Sequence, residues 1–159
     1  MKFCLRCTTP VEKETCPQCG CREKHEWVIH YVNNEVCGVC SEENTKPISK
    51  NAEVNIHTHG LFENYDHLDI QVSLPLQPKI ICGLINDLGF KIKDGQKFSH
   101  GQRFSELIQN MDVVFYEARD GERKVLRLII PDEKGNLERN KMNKDYQNQF
   151  WGLTPTLIC

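Results

Sequence analysis

The sequence predicts an α+β protein: an antiparallel sheet with one main helix packed on it, plus a small amino-terminal zinc-binding module. Three observations carry this expectation. Four cysteines form two Cys-x-x-Cys pairs within the first twenty residues. Several short runs are rich in β-branched and aromatic residues and alternate with period two. A single segment, from Gln77 to Gly89, keeps apolar residues at sustained helical spacing. The 159 residues suit one domain of ordinary size with an appendage. The boundary is expected near residue 24, giving a module over 1–24 and a domain over 25–159.

In chain order, the first twenty-one residues have too few large apolar groups to fold by burial alone. His25 to Val32 reads as a strand, Asn33-Asn34 as a turn, and Val36 to Cys40 as the returning chain. Ser41 to Lys50 is polar, contains Pro47 and reads as a linker. Glu53 to His59 and Leu68 to Leu74 alternate like half-buried strands, joined by a polar loop over Phe62 to Asp66. Pro78 opens the helix, Ile80, Ile81, Leu84, Ile85 and Leu88 line one face, and Gly89 is placed to end it. Lys91 to Gly101 reads as loop and Arg103 to Asn110 as a short helix. Val113 to Ala118 and Lys124 to Ile130, with Asp120-Gly121 between them, form the clearest hairpin. Pro131 breaks its second strand. The tail from Leu137 is weakly helical, with Phe150 and Trp151 as anchors.

Composition narrows the class. No apolar run approaches the ~18 residues of a membrane span, and the amino terminus lacks the apolar stretch of a signal peptide. A cytoplasmic protein is the expectation. Net charge is −2, and the first forty residues carry balanced charge. Nucleic-acid modules concentrate positive charge for phosphate contacts, so nucleic acid is not the expected partner.

Nine cysteines in a chain without an export signal read as metal ligands rather than disulfides. Cys4, Cys7, Cys16 and Cys19 have the spacing of two knuckles that close a tetrahedral zinc site, and Gly20 relieves the second turn. The third pair, Cys37 and Cys40, leaves three arrangements open. It joins Cys21 and His25 in a second zinc site, or partners Cys16 and Cys19 in place of Cys4 and Cys7, or acts as a redox dithiol. Cys82 lies in an apolar stretch and reads as a small core residue.

The other chemically suggestive segment is Asn55-Ile56-His57-Thr58-His59-Gly60-Leu61. Residues two apart on a strand share a face, so His57 and His59 project together. If the following strand pairs back, His67 and Asp69 come near them, a ligand set suited to a catalytic zinc or iron. Backbone hydrogen bonding by these histidines is the competing reading. The chain carries no Gly-rich phosphate loop, nucleophile elbow or His-Glu-x-x-His.

His57-Thr58-His59-Gly60-Leu61, His67-Leu68-Asp69 and Pro131-Asp132-Glu133-Lys134-Gly135 together resemble a bacterial and phage-associated family, domain of unknown function 4262. The resemblance covers about Trp27 to Gln149, and a glutamine of that family corresponds to Gln147 or Gln149. The chain departs from the pattern at His57 and His59, where Tyr and Val are usual, and at Leu68-Asp69, where Pro-Glu is. The family implies a fold but no activity. Taken together, the residues favour a non-enzymatic binding protein with structural zinc and a protein or small molecule as partner. The alternative is a small metal-dependent hydrolase centred on His57, His59 and His67.

Overall fold

The computed structural model describes residues 2–4, 7–22, 24–33 and 54–153. Asn34 of the expected Asn33-Asn34 turn, the return through Cys37 and Cys40, the linker and Cys159 lie outside the described residues. The architecture is α+β, as the sequence predicts, and is built on two sheets.

The small sheet has the order β2-β1-β3, from β1 (Lys2–Cys4), β2 (Pro10–Val11) and β3 (Lys24–His25). The large sheet has the order β4-β5-β6-β9-β8-β7. Its strands are β4 (Val28–Asn33), β5 (Val54–His59), β6 (Ile70–Val72), β7 (Arg103–Ile108), β8 (Met111–Asp120) and β9 (Arg123–Ile129). All its pairings are antiparallel except β6 on β9, which is parallel. That pair joins two antiparallel ribbons, and the helix α2 (Pro78–Lys93) lies in the crossover between them.

Alternation along each strand sends apolar residues to two covered faces. Ile56, Ile70, Val72, Phe115, Leu126 and Leu128 pack with Ile81, Ile85, Leu88 and Ile92 of α2. On the opposite face Val114, Val125 and Ile129 meet Leu137, Met142, Phe150 and Leu153 from the carboxyl-terminal segment. Asp132 holds that segment in place, accepting hydrogen bonds from the amides of Lys134, Asn136 and Asn143 and from the Asn136 side chain.

Four local expectations are corrected. Arg103 to Ile108 is strand β7, not a helix, because a helix this short is marginal by itself and pairing with β8 satisfies the same backbone groups. Most of the loop expected over Phe62 to Asp66 belongs instead to the single-turn helix α1 (Leu61–Tyr65), which Asp66 caps. Trp151 is no anchor: it is 65% exposed, while Phe150 is buried. The segment after Phe150 turns its backbone carbonyl inward instead, toward Arg127. Gly89 does not end α2, which continues four residues further to Lys93.

Gly89 is needed for a different reason. The Trp27 ring packs against it, and a Cβ there would sit 2.7 Å from the ring. Trp27 also donates from Nε1 to Asn86 Oδ1 at 3.0 Å and meets Phe90 edge-on. Gly83, on the same helix, is exposed with nothing near its missing Cβ. The two glycines should therefore respond oppositely to alanine. Gly83→Ala should stabilise by about 0.5–1 kcal/mol through helix propensity. Gly89→Ala should destabilise by about 1–3 kcal/mol through overpacking. Urea unfolding of the two variants measures both signs, and a gain at Gly89 would show that Trp27 moves aside freely.

Candidate metal centre and histidine face

In the small module the first knuckle is a tight hairpin. The Cys4 amide donates to Thr9 O at 2.9 Å and the Thr8 amide to Cys4 O at 3.0 Å. The second is closed by the Cys16 amide to Cys21 O at 2.8 Å and the Gly20 amide to Cys16 O at 2.9 Å. Gly20 has φ 73°, the conformation expected of it. These turns aim four sulfurs at one point, all within 4.8 Å of one another. Cys4 and Cys19 sulfurs are 3.4 Å apart, and those of Cys7 and Cys16 are 3.5 Å apart. A tetrahedral ion with metal–sulfur bonds of ~2.3 Å sets its sulfurs ~3.8 Å apart, so small outward shifts accommodate it.

The thiol electrostatics fit the same centre. Hydrogen bonds from the Thr9 hydroxyl and backbone draw the Cys7 thiol down to about 6. The Cys21 backbone draws on Cys19 in the same direction, but burial and the sulfurs of Cys4, Cys7 and Cys16 prevail and push it up to about 12. Four thiols this close cannot all ionise unless a cation lies among them. The cluster is thus a tetrathiolate site able to hold a metal ion.

Of the second set considered for zinc, Cys37 and Cys40 lie outside the described residues. Cys21 packs beside the four-cysteine cluster. His25 stands on β3 with its Nε2 buried and, among the described residues, without a hydrogen-bond partner. Cys82 is half-buried on α2, and burial pushes its thiol up.

The histidines of β5 do share a face, with Nε2 of His57 and His59 3.1 Å apart. Their third neighbour is not His67 but His30, which stands directly opposite His57 on β4. Ring centroids of His30 lie 5.5 Å from His57 and 4.7 Å from His59. The expected convergence of His67 and Asp69 on this group is corrected. The α1 turn directs His67 inward, where its Nδ1–H donates to Leu68 O at 2.7 Å and its Nε2 accepts from the Phe98 amide at 3.0 Å. Both ring nitrogens are committed. Asp69 is buried and accepts from Thr58 Oγ1 at 2.7 Å, from the Leu61 amide at 3.1 Å and from Arg123 Nη1 at 3.2 Å. It braces the β5–α1 corner.

Hydrogen bonds assign the protons along the histidine face. Arg123 Nη1 donates to His59 Nδ1 at 3.0 Å, so the neutral His59 ring carries its proton on Nε2 and donates to His57 Nε2. His57 then donates from Nδ1 to Asn55 Oδ1 at 2.9 Å. Asn55 donates to Asp120 Oδ1 at 2.9 Å and accepts from Gln71 Nε2 at 3.0 Å. Gln71 in turn accepts from Arg127 Nε at 2.9 Å. Burial holds the His57 ring down to about 4, and lowers His30 and His59 as well.

Sequence reasoning missed His30 and Arg127. His30 sits in a run legible as a strand, yet its opposition to His57 depends on a pairing that a twenty-residue connection hides. Arg127 falls in an apolar alternating run, which marks a residue on a covered face, but nothing in that run names its partners.

The chain matches no protein-family model, no curated protein and no solved structure. The resemblance drawn from its short motifs therefore rests on those motifs alone. No helix among the described residues is long and apolar enough to cross a membrane.

His67 gives this region a pH signature. Burial, opposed by the Leu68 carbonyl, keeps its pKa below the ordinary 6.5. The unfolded chain takes up this proton near that value, and the fold only at lower pH. The stabilisation by the neutral ring is thus complete above about pH 6.5 and is lost as pH falls below it. Urea midpoints recorded from about pH 8 to about pH 5 should fall, and His67→Gln should fall less steeply than wild type. Parallel slopes would mean that the buried ring does not resist protonation.

Proposed function

We propose that this protein is a zinc-stapled binding protein, in which the ion serves structure and not catalysis. The observation that carries this reading is the closure of the metal shell. Four cysteine sulfurs fill a tetrahedral set and leave no position for water or substrate. Zinc is the ion that a four-thiolate knuckle pair favours. The hydrolase alternative needs His67 as a ligand, and both nitrogens of His67 are engaged elsewhere.

The binding surface proposed is the seam between the module and α2. A cleft of about 410 Å³ opens there, lined by Lys2, Lys24, His25, Glu26, Trp27, Asn86, Phe90 and Lys93. That volume is within the roughly 300–1,000 Å³ of small-molecule sites. Lys93 pairs with Glu26 at 2.8 Å, and the remaining two lysines leave the cleft positive. Phe90 presents an exposed apolar ring at its rim. A small anionic ligand with a flat apolar face suits this lining. Only the folded module brings Lys2 and Lys24 to the cleft, which gives the staple its use.

Protein purified without added metal should carry zinc at the four-cysteine site. Cys16→Ser, or treatment with a strong chelator, should remove it and melt the small sheet while the large sheet persists. Trp27, packed at the seam, should then emit further to the red, whereas the exposed Trp151 should be unaffected. Far-UV circular dichroism would stay nearly constant. Absence of zinc, or its loss without any change at Trp27, would overturn the reading.

A further inference from the structure

We propose that His30, His57 and His59 form a second metal site, exchangeable and with an open coordination position, for an imidazole-preferring divalent ion such as zinc, cobalt or nickel. Each of the three offers a ring nitrogen, and these atoms lie within 4.8 Å of one another. The 3.1 Å between Nε2 of His57 and His59 is close to the ~3.3 Å separating two nitrogens bound at ~2.0–2.1 Å in a tetrahedral shell. His57 is buried, while His30 and His59 are half-buried. The group is therefore backed by the sheet and open on its outer side, where a water or a ligand atom would complete the shell.

Two features of the surroundings belong to a metal site. The His57 Nδ1–H is held by Asn55 Oδ1, which leaves the Nε2 lone pair directed at its neighbours; a carbonyl oxygen in this place orients and strengthens a histidine ligand. Asp120 Oδ2 lies 3.8 Å from His57 Nδ1 and adds negative charge behind the ring.

One feature opposes metal and sets its strength. Arg123 donates to His59 Nδ1, which fixes the proton on the nitrogen that would bind the ion. Binding requires that proton to move to Nδ1 and the guanidinium to withdraw. Arg123 keeps three other acceptors when it does so: Thr58 O, Asp69 Oδ2 and Asp120 Oδ2. The site is thus gated by a tautomer change and by a nearby cation, and it holds metal less tightly than four thiolates do. Its all-nitrogen donor set selects ions differently from the sulfur site.

The test is a cobalt(II) titration of the full chain already carrying zinc on its cysteines, with bound metal per chain measured by equilibrium dialysis. One further equivalent should bind, without the intense thiolate-to-cobalt absorption that binding at the cysteines produces. His30→Ala and His57→Ala should each weaken this equivalent at least about ten-fold, and Asn55→Ala by about ten- to a hundred-fold, while the cysteine-bound zinc remains. His30 is half-buried on β4, so its replacement leaves the core intact. No further equivalent in the wild type, or one undiminished in His30→Ala, would overturn the proposal. Loss of the cysteine-bound zinc alone would count against the structural staple and not against this site.

Discussion

Strand β6 lies parallel on β9 with Gln71 opposite Arg127, and this register organises the rest of the large sheet. Gln71 also stands opposite His57, and His57 opposite His30, so a row of polar side chains crosses four strands on one face. Arg127, 1% exposed, is the costliest member. Burial lowers its pKa to about 10, and a buried cation persists only where acceptors surround it. Those acceptors are Gln71 Oε1 and the carbonyls of Gln149 and Trp151. The carboxyl-terminal segment is thereby drawn over the sheet, where Gln149 pairs with both backbone groups of Ile130. Slipping β6 by one residue would turn Gln71 to the other face and break the row at its centre.

The same row ends in chemistry. Its inner half satisfies Arg127, whereas its outer half sets the buried His57 and the half-buried His30 and His59 beside Arg123 and Asp120. A buried polar network whose members are satisfied rigidifies the sheet that carries it. Asn55 links the two halves, accepting from Gln71 and from His57 through one oxygen.

The amino-terminal module obeys a different constraint. A three-stranded sheet of two- and three-residue strands buries too little apolar surface to fold by itself, so its joint with the domain counts, and an ion among the four sulfurs, as proposed above, would add to it. Glu26 makes that joint: its carbonyl accepts from Asn64 Nδ2 at 2.6 Å, and its carboxylate holds Lys93 and Tyr65. Phe3 reaches across to Gly60, where φ is 118° and a Cβ would lie 2.8 Å from the Phe3 ring. One corner of the domain therefore receives the module, and the lysine-lined cleft lies along that seam.

What the sequence determined by itself was what local spacing encodes. The two Cys-x-x-Cys pairs, the β8–β9 hairpin around Asp120-Gly121 and the shared face of His57 and His59 each depend on residues within a few positions of one another. The tertiary structure decided everything that depends on partners distant in sequence. Gly89 reads locally as a helix stop, but contact with Trp27 makes it an interior position of α2. Arg103 to Ile108 reads as a helix until β8 is beside it. His67 reads as a third ligand until the Phe98 amide occupies its nitrogen, and His30 stands beside His57 and His59 only because β4 and β5 pair across a long connection. Short-range periodicity specifies elements; register between remote strands, which no single segment contains, specifies the site.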